Sequence, residues 1–423
     1  LKADNGSGAM TAYLTLDGGA SKIIVGKQLE IQGDNRKLTI GASGDLEIYH
    51  DGSNSYIKNA GTGNLKIMGN NLYLQNTSGG SYIDGINGDR VEIKFNNSTK
   101  LTTTNTGIDV TGTVNGIPFF SDVANNSMYT HDVSGTDDTA QFNTAYGFAA
   151  MDAITTGDSN VAVGYNAGSA LTSGIKNILI GKDAGDSLTE GNFNIVIGTD
   201  ALQTEDTHGK NIAIGHAALE LLNAGADAYN VAVGFNSGKT ISTGIRNVLI
   251  GGLAGDALTT GSSNIAIGHQ ALSTEDAHGL NIAIGHNALA SQNVGADAYN
   301  VAIGHFAGED ITTGVRNVII GGLAGDALTS GAYNTALGYN ALSAEDTGSR
   351  SVAIGWSALE DQNYDGESNN VAIGYGVAKQ LTTGLQNVFV GALAGDALTT
   401  GSSNIAIGYA AMSTANGAES RNV

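Results

Sequence analysis

Cysteine is absent from this 423-residue chain, and proline occurs once, as Pro118. No disulfide and no thiolate nucleophile is therefore open to it. Basic residues are scarce: 19 Lys and Arg face 40 Asp and Glu, for a formal net charge of -21. That balance excludes a binder of nucleic-acid backbones, which needs cations to displace counterions. It suits a particle that avoids sticking to itself or to acidic surfaces. No apolar run reaches the ~18 residues of a membrane-spanning helix, so no membrane insertion is expected. The opening LKADNGSGAM has neither a basic n-region nor an apolar h-region. Catalytic signatures are missing too. There is no G-x-x-x-x-G-K-[ST], no G-x-S-x-G and no H-E-x-x-H. We therefore expect no enzyme and no cofactor, with a glycan-cutting carboxylate pair as the enzymatic alternative.

What is present is glycine, 62 residues of it, with 41% hydrophobic residues. No G-X-Y triplet persists, so the chain is not collagen-like, and it is too apolar for a disordered linker. The glycine belongs to a repeat. From residue 143 a pentapeptide recurs: Asn, alternating apolar residues, then Gly. Its asparagines are Asn160, Asn177, Asn194, Asn211, Asn230, Asn247, Asn264, Asn281, Asn300, Asn317, Asn334, Asn370, Asn387 and Asn404. A degenerate copy, NTAYG, sits at 143–147, and Ser351 replaces Asn once. The spacing is 17 residues, with a 19-residue step after every fourth copy from 160, making a 70-residue block. A fixed short period is the mark of a solenoid.

Each pentapeptide reads as a short strand, because Val and Ile dominate it and Gly ends it. The following stretch, such as NAGSALTSG at 166–174, reads as a turn and a second short strand. Stacking at ~4.8 Å per coil makes sixteen coils a rod of ~75 Å. Both faces of the strand are apolar. Val161 and Val163 are expected to fill the coil. Ala162, with its larger counterparts Leu179, Leu249, Ile319 and Phe389, is expected to meet another chain. The asparagines are expected to form a structural ladder between coils, or to close the preceding turn.

The N-[VI]-A-[IV]-G strand with Gly-rich turns resembles the head repeats of YadA-like trimeric autotransporter adhesins, over roughly 143–423. The resemblance implies a left-handed parallel β-roll in a homotrimer. Similar repeats occur in bacteriophage tail fibres. Residues 1–118 differ. They hold short alternating strands, as in LTIGASGDLEIYHDGSNSYI at 38–57, with too few large apolar residues for a single-chain core. Strands intertwined between chains would supply one. The phrase GDLEIYHDGSNSYI, followed by KLTTTNTGIDVTGTV, resembles structural and tail-fibre proteins of marine phages, especially those infecting cyanobacteria. Residues 119–142 follow neither pattern and read as a junction. The fold expected is thus all-β: a trimeric parallel β-solenoid of 17-residue coils at 143–423, preceded by an intertwined fibre segment at 1–118. The lack of an initial Met and a cut-off repeat at Arg421–Val423 suggest a piece of a longer chain.

Three constellations are candidates for binding. The column after each strand's Gly carries Phe148, Tyr165, His216, Phe235, His269, His286, His305, Tyr339, Trp356, Tyr375 and Tyr409. Aligned rings can stack on sugars, and they can equally pack at a corner or between chains; packing at a corner is the favoured reading. GGLAGDAL at 251–258 and 321–328 is like a calcium-binding β-roll repeat. Its Asp256, Asp326 and Asp396 lie too far apart to share an ion, so no metal site is assigned. The 19-residue coils place extra residues near 221–229, 291–299 and 361–369, expected as exposed loops. Together these features point to a phage tail fibre in the virion. Its partners would be two further copies, other tail proteins, and a host-surface glycan or protein receptor. A bacterial surface adhesin or filament is the alternative, and a polysaccharide-degrading tailspike the second.

Overall fold

The computed structural model describes residues 2–4, 10–12, 14–17, 22–25, 29–41, 43–86, 90–105, 108–111, 113–114, 117–118, 120–122, 127–129, 139–414 and 417–423. Among these residues there is no helix. The chain divides into two compact units, Leu1–Thr111 and Gly112–Val423.

The first unit is a series of antiparallel hairpins and meanders. Lys37–Ile40, Leu46–His50 and Ser55–Asn59 form one three-stranded sheet. Strands from Asn71–Gln75 to Ile108–Val110 form a five-stranded meander. Turn chemistry sets these hairpins. In HDGSNSY the Asp51 carboxylate accepts the Ser53 and Asn54 N–H groups at 2.9 and 2.7 Å and the Tyr56 hydroxyl at 2.8 Å. Those bonds hold its carboxyl below the ordinary range and fix the reversal.

The second unit is a parallel β-solenoid. Its eighteen-stranded sheet runs in chain order from Phe120–Asp122 to Ile405–Ile407. Part of the 119–142 junction belongs to it. Phe120–Asp122 pairs antiparallel with Ser127–Tyr129, which joins the first coil in parallel through Met128 and Thr144. From there each coil contributes one three-residue strand, in unbroken register.

The second strand expected at 166–174 does not form. Asn166 and Gly168 adopt φ of 54° and 58°, in the left-handed region. That curls the chain into turns, leaving single cross-coil bonds such as Gly168 N–H to Ala184 C=O at 3.0 Å.

The strand faces are also reversed from expectation. Ala162, Leu179, Leu249, Ile319 and Phe389 are fully buried inside the coil. Their neighbours Val161 and Val163 point outward and stay half-exposed. The reason is volume. A 17-residue coil encloses a narrow space, so the smaller middle residue faces in. Larger middle residues are matched by Gly six positions on. Leu249 lies over Gly255, where a Cβ would come within 2.9 Å of it, and Phe389 covers Gly395 at 2.8 Å. In the fourth coil of a block the middle residue is Ala, as at Ala213 and Ala283, and the matching position is Leu219 or Leu289. In the first coil Ala162 or Ala232 is followed by Gly168 or Gly238, and Leu179 or Leu249 of the next coil takes the room. The interior therefore stays filled at near-constant volume, as close packing requires.

Two polar devices tie coil to coil. The Asn247 side-chain oxygen accepts the Asn264 backbone N–H at 2.9 Å, while its amide donates to the Gly261 carbonyl at 2.9 Å. This pattern repeats along the buried asparagine column. The ladder is mainly side chain to backbone. Amide-to-amide contacts occur in some coils, such as Asn177 to Asn160 at 3.1 Å. At the exception, Ser351 donates its N–H to Asn334 at 2.9 Å, and its hydroxyl lies 2.7 Å from that of Ser368. The strand-ending Gly makes the corner. Gly251 has φ 140°, and a Cβ there would sit 2.4 Å from the Gly268 carbonyl oxygen. At Gly408, in the last coil, nothing lies within 4 Å, so the crowding comes from the next coil.

Candidate interaction surface

Because the strand's outer positions are apolar, the solenoid presents a ribbon of side chains to solvent. Four columns make it up. Two are the outward Val and Ile residues flanking each buried middle residue, such as Ile265 and Ile267. The third is the aromatic and histidine column after Gly. Tyr165, His216, Phe235, His269, His286, His305, Tyr339, Trp356, Tyr375 and Tyr409 are all exposed. They do not pack into a corner of their own chain. Instead all but Tyr339 and Tyr409 stack on a neighbour in the column. Phe148–Tyr165, His216–Phe235 and Trp356–Tyr375 lie 6.0, 5.3 and 4.8 Å apart with near-parallel planes. His269, His286 and His305 stack at 5.4 and 5.2 Å, and Phe306 meets the last two edge-on. Ring faces used this way are not free to cover a sugar, so these stacks offer edges instead.

The fourth column, immediately before each Asn, escaped the sequence reading. It carries basic residues at Lys176, Lys210, Arg246, Arg316 and Arg350 and aromatic ones at Phe193, Tyr229, Tyr299 and Tyr333, with Ser, Leu, Asn or Gln in other coils, all in the left-handed region near φ 60°. Cations lie over rings here: Lys176 over Phe193 at 5.2 Å, Lys210 over Tyr229 at 5.1 Å and Arg316 over Tyr333 at 5.4 Å. Aromatic residues rarely adopt this backbone conformation, so residue type did not announce the column. The spacing of Lys176, Arg246 and Arg316 at 70 residues was the available signal.

The charge distribution is uneven. None of the four columns contains an Asp or Glu, although 143–423 holds 25 acids. Of the nine Lys and Arg in the same stretch, Lys176, Lys182, Lys210, Arg246, Arg316, Arg350 and Arg421 lie in these columns. Acids border them: Lys210 Nζ reaches Asp227 at 2.6 Å and Arg350 reaches Glu367 at 2.9 Å. Asp227 and Tyr229 together raise the Lys210 ammonium above its usual range.

The other candidates fall elsewhere. Asp256, Asp326 and Asp396 sit singly in successive blocks, half-buried, and burial lifts the first two carboxyls above the ordinary range. No set of potential metal ligands found among the described residues includes them. The inserted loops at 221–229, 291–299 and 361–369 are largely exposed. Comparison with protein-family models, with curated proteins and with solved structures finds no match to this chain.

Proposed function

We propose that this chain is a structural fibre protein whose copies associate side by side through the four-column face. The resulting rigid rod would reach a host surface, as a phage tail fibre does. The observation that carries the reading is the acid-free apolar ribbon, repeated at every coil. At ~4.8 Å per coil and ~3.3 Å per residue it covers on the order of 75 by 17 Å. Monomeric proteins seldom expose apolar patches beyond a few hundred Å², and stable interfaces bury about 800 Å² per partner. The natural occupant is another copy, because a long ribbon of fixed pitch is matched best by a surface of the same pitch. Three copies per rod is the number implied by the resemblance to YadA-like heads. Weak contacts repeated along each rod would then add up through multivalency.

Sedimentation of the purified chain tests this. A trimer is expected, and Ile267→Lys with Ile284→Lys, both on the outward column, should yield folded single subunits. A compact single subunit from the unaltered chain overturns the reading. Mass spectrometry of purified virions would separate a tail fibre from a bacterial adhesin.

A further inference from the structure

The solenoid interior holds a charged group that its packing does not require. The twelfth position of a coil is a core position, occupied by Leu171, Leu188, Ile241 and Leu258, all fully buried. In the third coil of the first three blocks it is Glu205, Glu275 or Glu345, equally buried at 0% exposure. A carboxylate in such a place is unfavourable unless donors or a cation meet it.

The three copies are met differently. Glu345 accepts the Gly348 N–H at 2.7 Å, the Gln362 amide at 2.8 Å and the Tyr364 N–H at 3.3 Å. It does so by lying in the space beside Gly348, where a Cβ would come within 2.3 Å of its carboxyl carbon. In the other two copies that position is His208 or His278, so the space is closed. Glu205 accepts only longer bonds, from His208 N–H at 3.2 Å and Ala224 N–H at 3.3 Å. Glu275 accepts His278 N–H and the Gln292 amide, both at 3.2 Å.

These two loosely held carboxylates each have an imidazole alongside. Nδ1 of His208 is 3.4 Å from Glu205 Oε1, and Nδ1 of His278 is 3.5 Å from Glu275 Oε1. Ligands held at ~2.0–2.1 Å by one tetrahedral zinc ion lie roughly 3.3 Å apart. Asp206 and Asp276 add a third donor, and the ligand atoms of each set all lie within 4.8 Å of one another. His278 Nδ1 is shielded from solvent and has no hydrogen-bond partner. His208 Nδ1 lies 3.0 Å from the Thr207 hydroxyl.

We propose that Glu205–Asp206–His208 and Glu275–Asp276–His278 are two divalent-cation sites of the zinc type, with water completing each shell. One imidazole and two carboxylates favour Zn²⁺ over Ca²⁺ or Mg²⁺, which prefer all-oxygen shells. Each site adjoins an inserted loop. Glu205 accepts from Ala224, Asp227 accepts the Gly209 N–H at 3.2 Å, and Asp297 accepts the Gly279 N–H at 3.1 Å. An ion here pins that loop to the coil before it. The third block has Gly348 in place of His and binds no ion.

The test is calorimetric titration of Zn²⁺ into the metal-free chain, with bound zinc counted after equilibrium dialysis. Two ions per chain are expected. Either His208→Ala or His278→Ala should remove one, and the pair should remove both. The exposed stack is the competing taker, so the triple variant His269→Ala, His286→Ala, His305→Ala should keep two. Co²⁺ bound to the unaltered chain should show the visible absorption of a tetrahedral site, a readout that needs no variant. No saturable zinc uptake, or uptake unchanged in the double variant, overturns the proposal. The two pairs would then be buried glutamates that each lie beside an imidazole without sharing an ion.

Discussion

Both units of this chain are made of short strands, yet only one has an interior. In the solenoid every three-residue strand from Thr144–Tyr146 onward is backed by a buried Ala, Val, Leu, Ile or Phe. In the first unit strands reach six residues, but none of the apolar side chains described there is buried. Ile57, Ile67 and Phe95 are more than half exposed. What is buried there is ionic: Asp84 and Glu92, held by Lys94 at 2.6 and 2.9 Å, with Arg90 on Glu92. The lesson is that strand length does not make a fold self-sufficient. Ladder hydrogen bonds contribute only ~1 kcal/mol each. Closure of the chain around its own side chains contributes the rest. A unit that cannot close needs neighbours, in line with the proposed association.

The contrast can be broken at corner glycines. Gly251→Ala places a methyl against the next coil's carbonyl, so a loss of about 3–5 kcal/mol is expected. Gly63→Ala in the first unit has a similar φ of 115° but nothing within 4 Å. It should lose no more than the backbone strain, about 1–3 kcal/mol. Urea unfolding followed by Trp356 fluorescence reads the first, and hairpin amide exchange the second. Equal losses would mean that coil contact adds nothing.

Core truncation sharpens the same point. Leu249→Ala should cost ~2–5 kcal/mol, whereas Ile57→Ala, at 60% exposure, should leave the separated single chain nearly unchanged. A large effect of Ile57→Ala only in assembled material would locate its burial at a chain contact. Next is Asn264→Asp, which replaces the amide donating to the His278 carbonyl and buries a charge. We expect a loss of ~2 kcal/mol, read as a lower melting temperature. Unchanged melting would remove the ladder.

Acid gives the smallest and most diagnostic effect, because the two units should answer in opposite directions. Arg90 and then Lys94 hold the Glu92 carboxyl down to about 2. Its stabilisation is present above ~4.5 and is lost as pH falls from there through about 2. In the solenoid, burial raises Glu345, the copy that takes no ion. Its penalty grows as pH rises from ~4.5 through that raised value, so mild acid relieves it. Hydrogen exchange at pH 5 and pH 3 should loosen the meander first.

Much of the solenoid was legible because period is direct evidence. The 17-residue coil, the 70-residue block and the Asn column follow from spacing alone. Which face points inward did not, because Val161, Ala162 and Val163 are all apolar. The deciding clue was the pairing of Leu179 with Gly185 and of Ala213 with Leu219, which only makes sense around a common enclosed volume. Glu205, Glu275 and Glu345 were equally visible in principle. They emerge only when coils are aligned on Leu171, because an isolated Glu in a Gly-rich loop looks like a solvated turn.

The matching of large and small residues also sets how such a rod can change its length over evolutionary time. Leu249 occupies room left by Gly238 in the coil before and Gly255 in its own. Excising that single coil would leave a hole, whereas excising 230–299 joins partners that already fit. The heritable unit of length is thus the four-coil block, about 19 Å per duplication or loss.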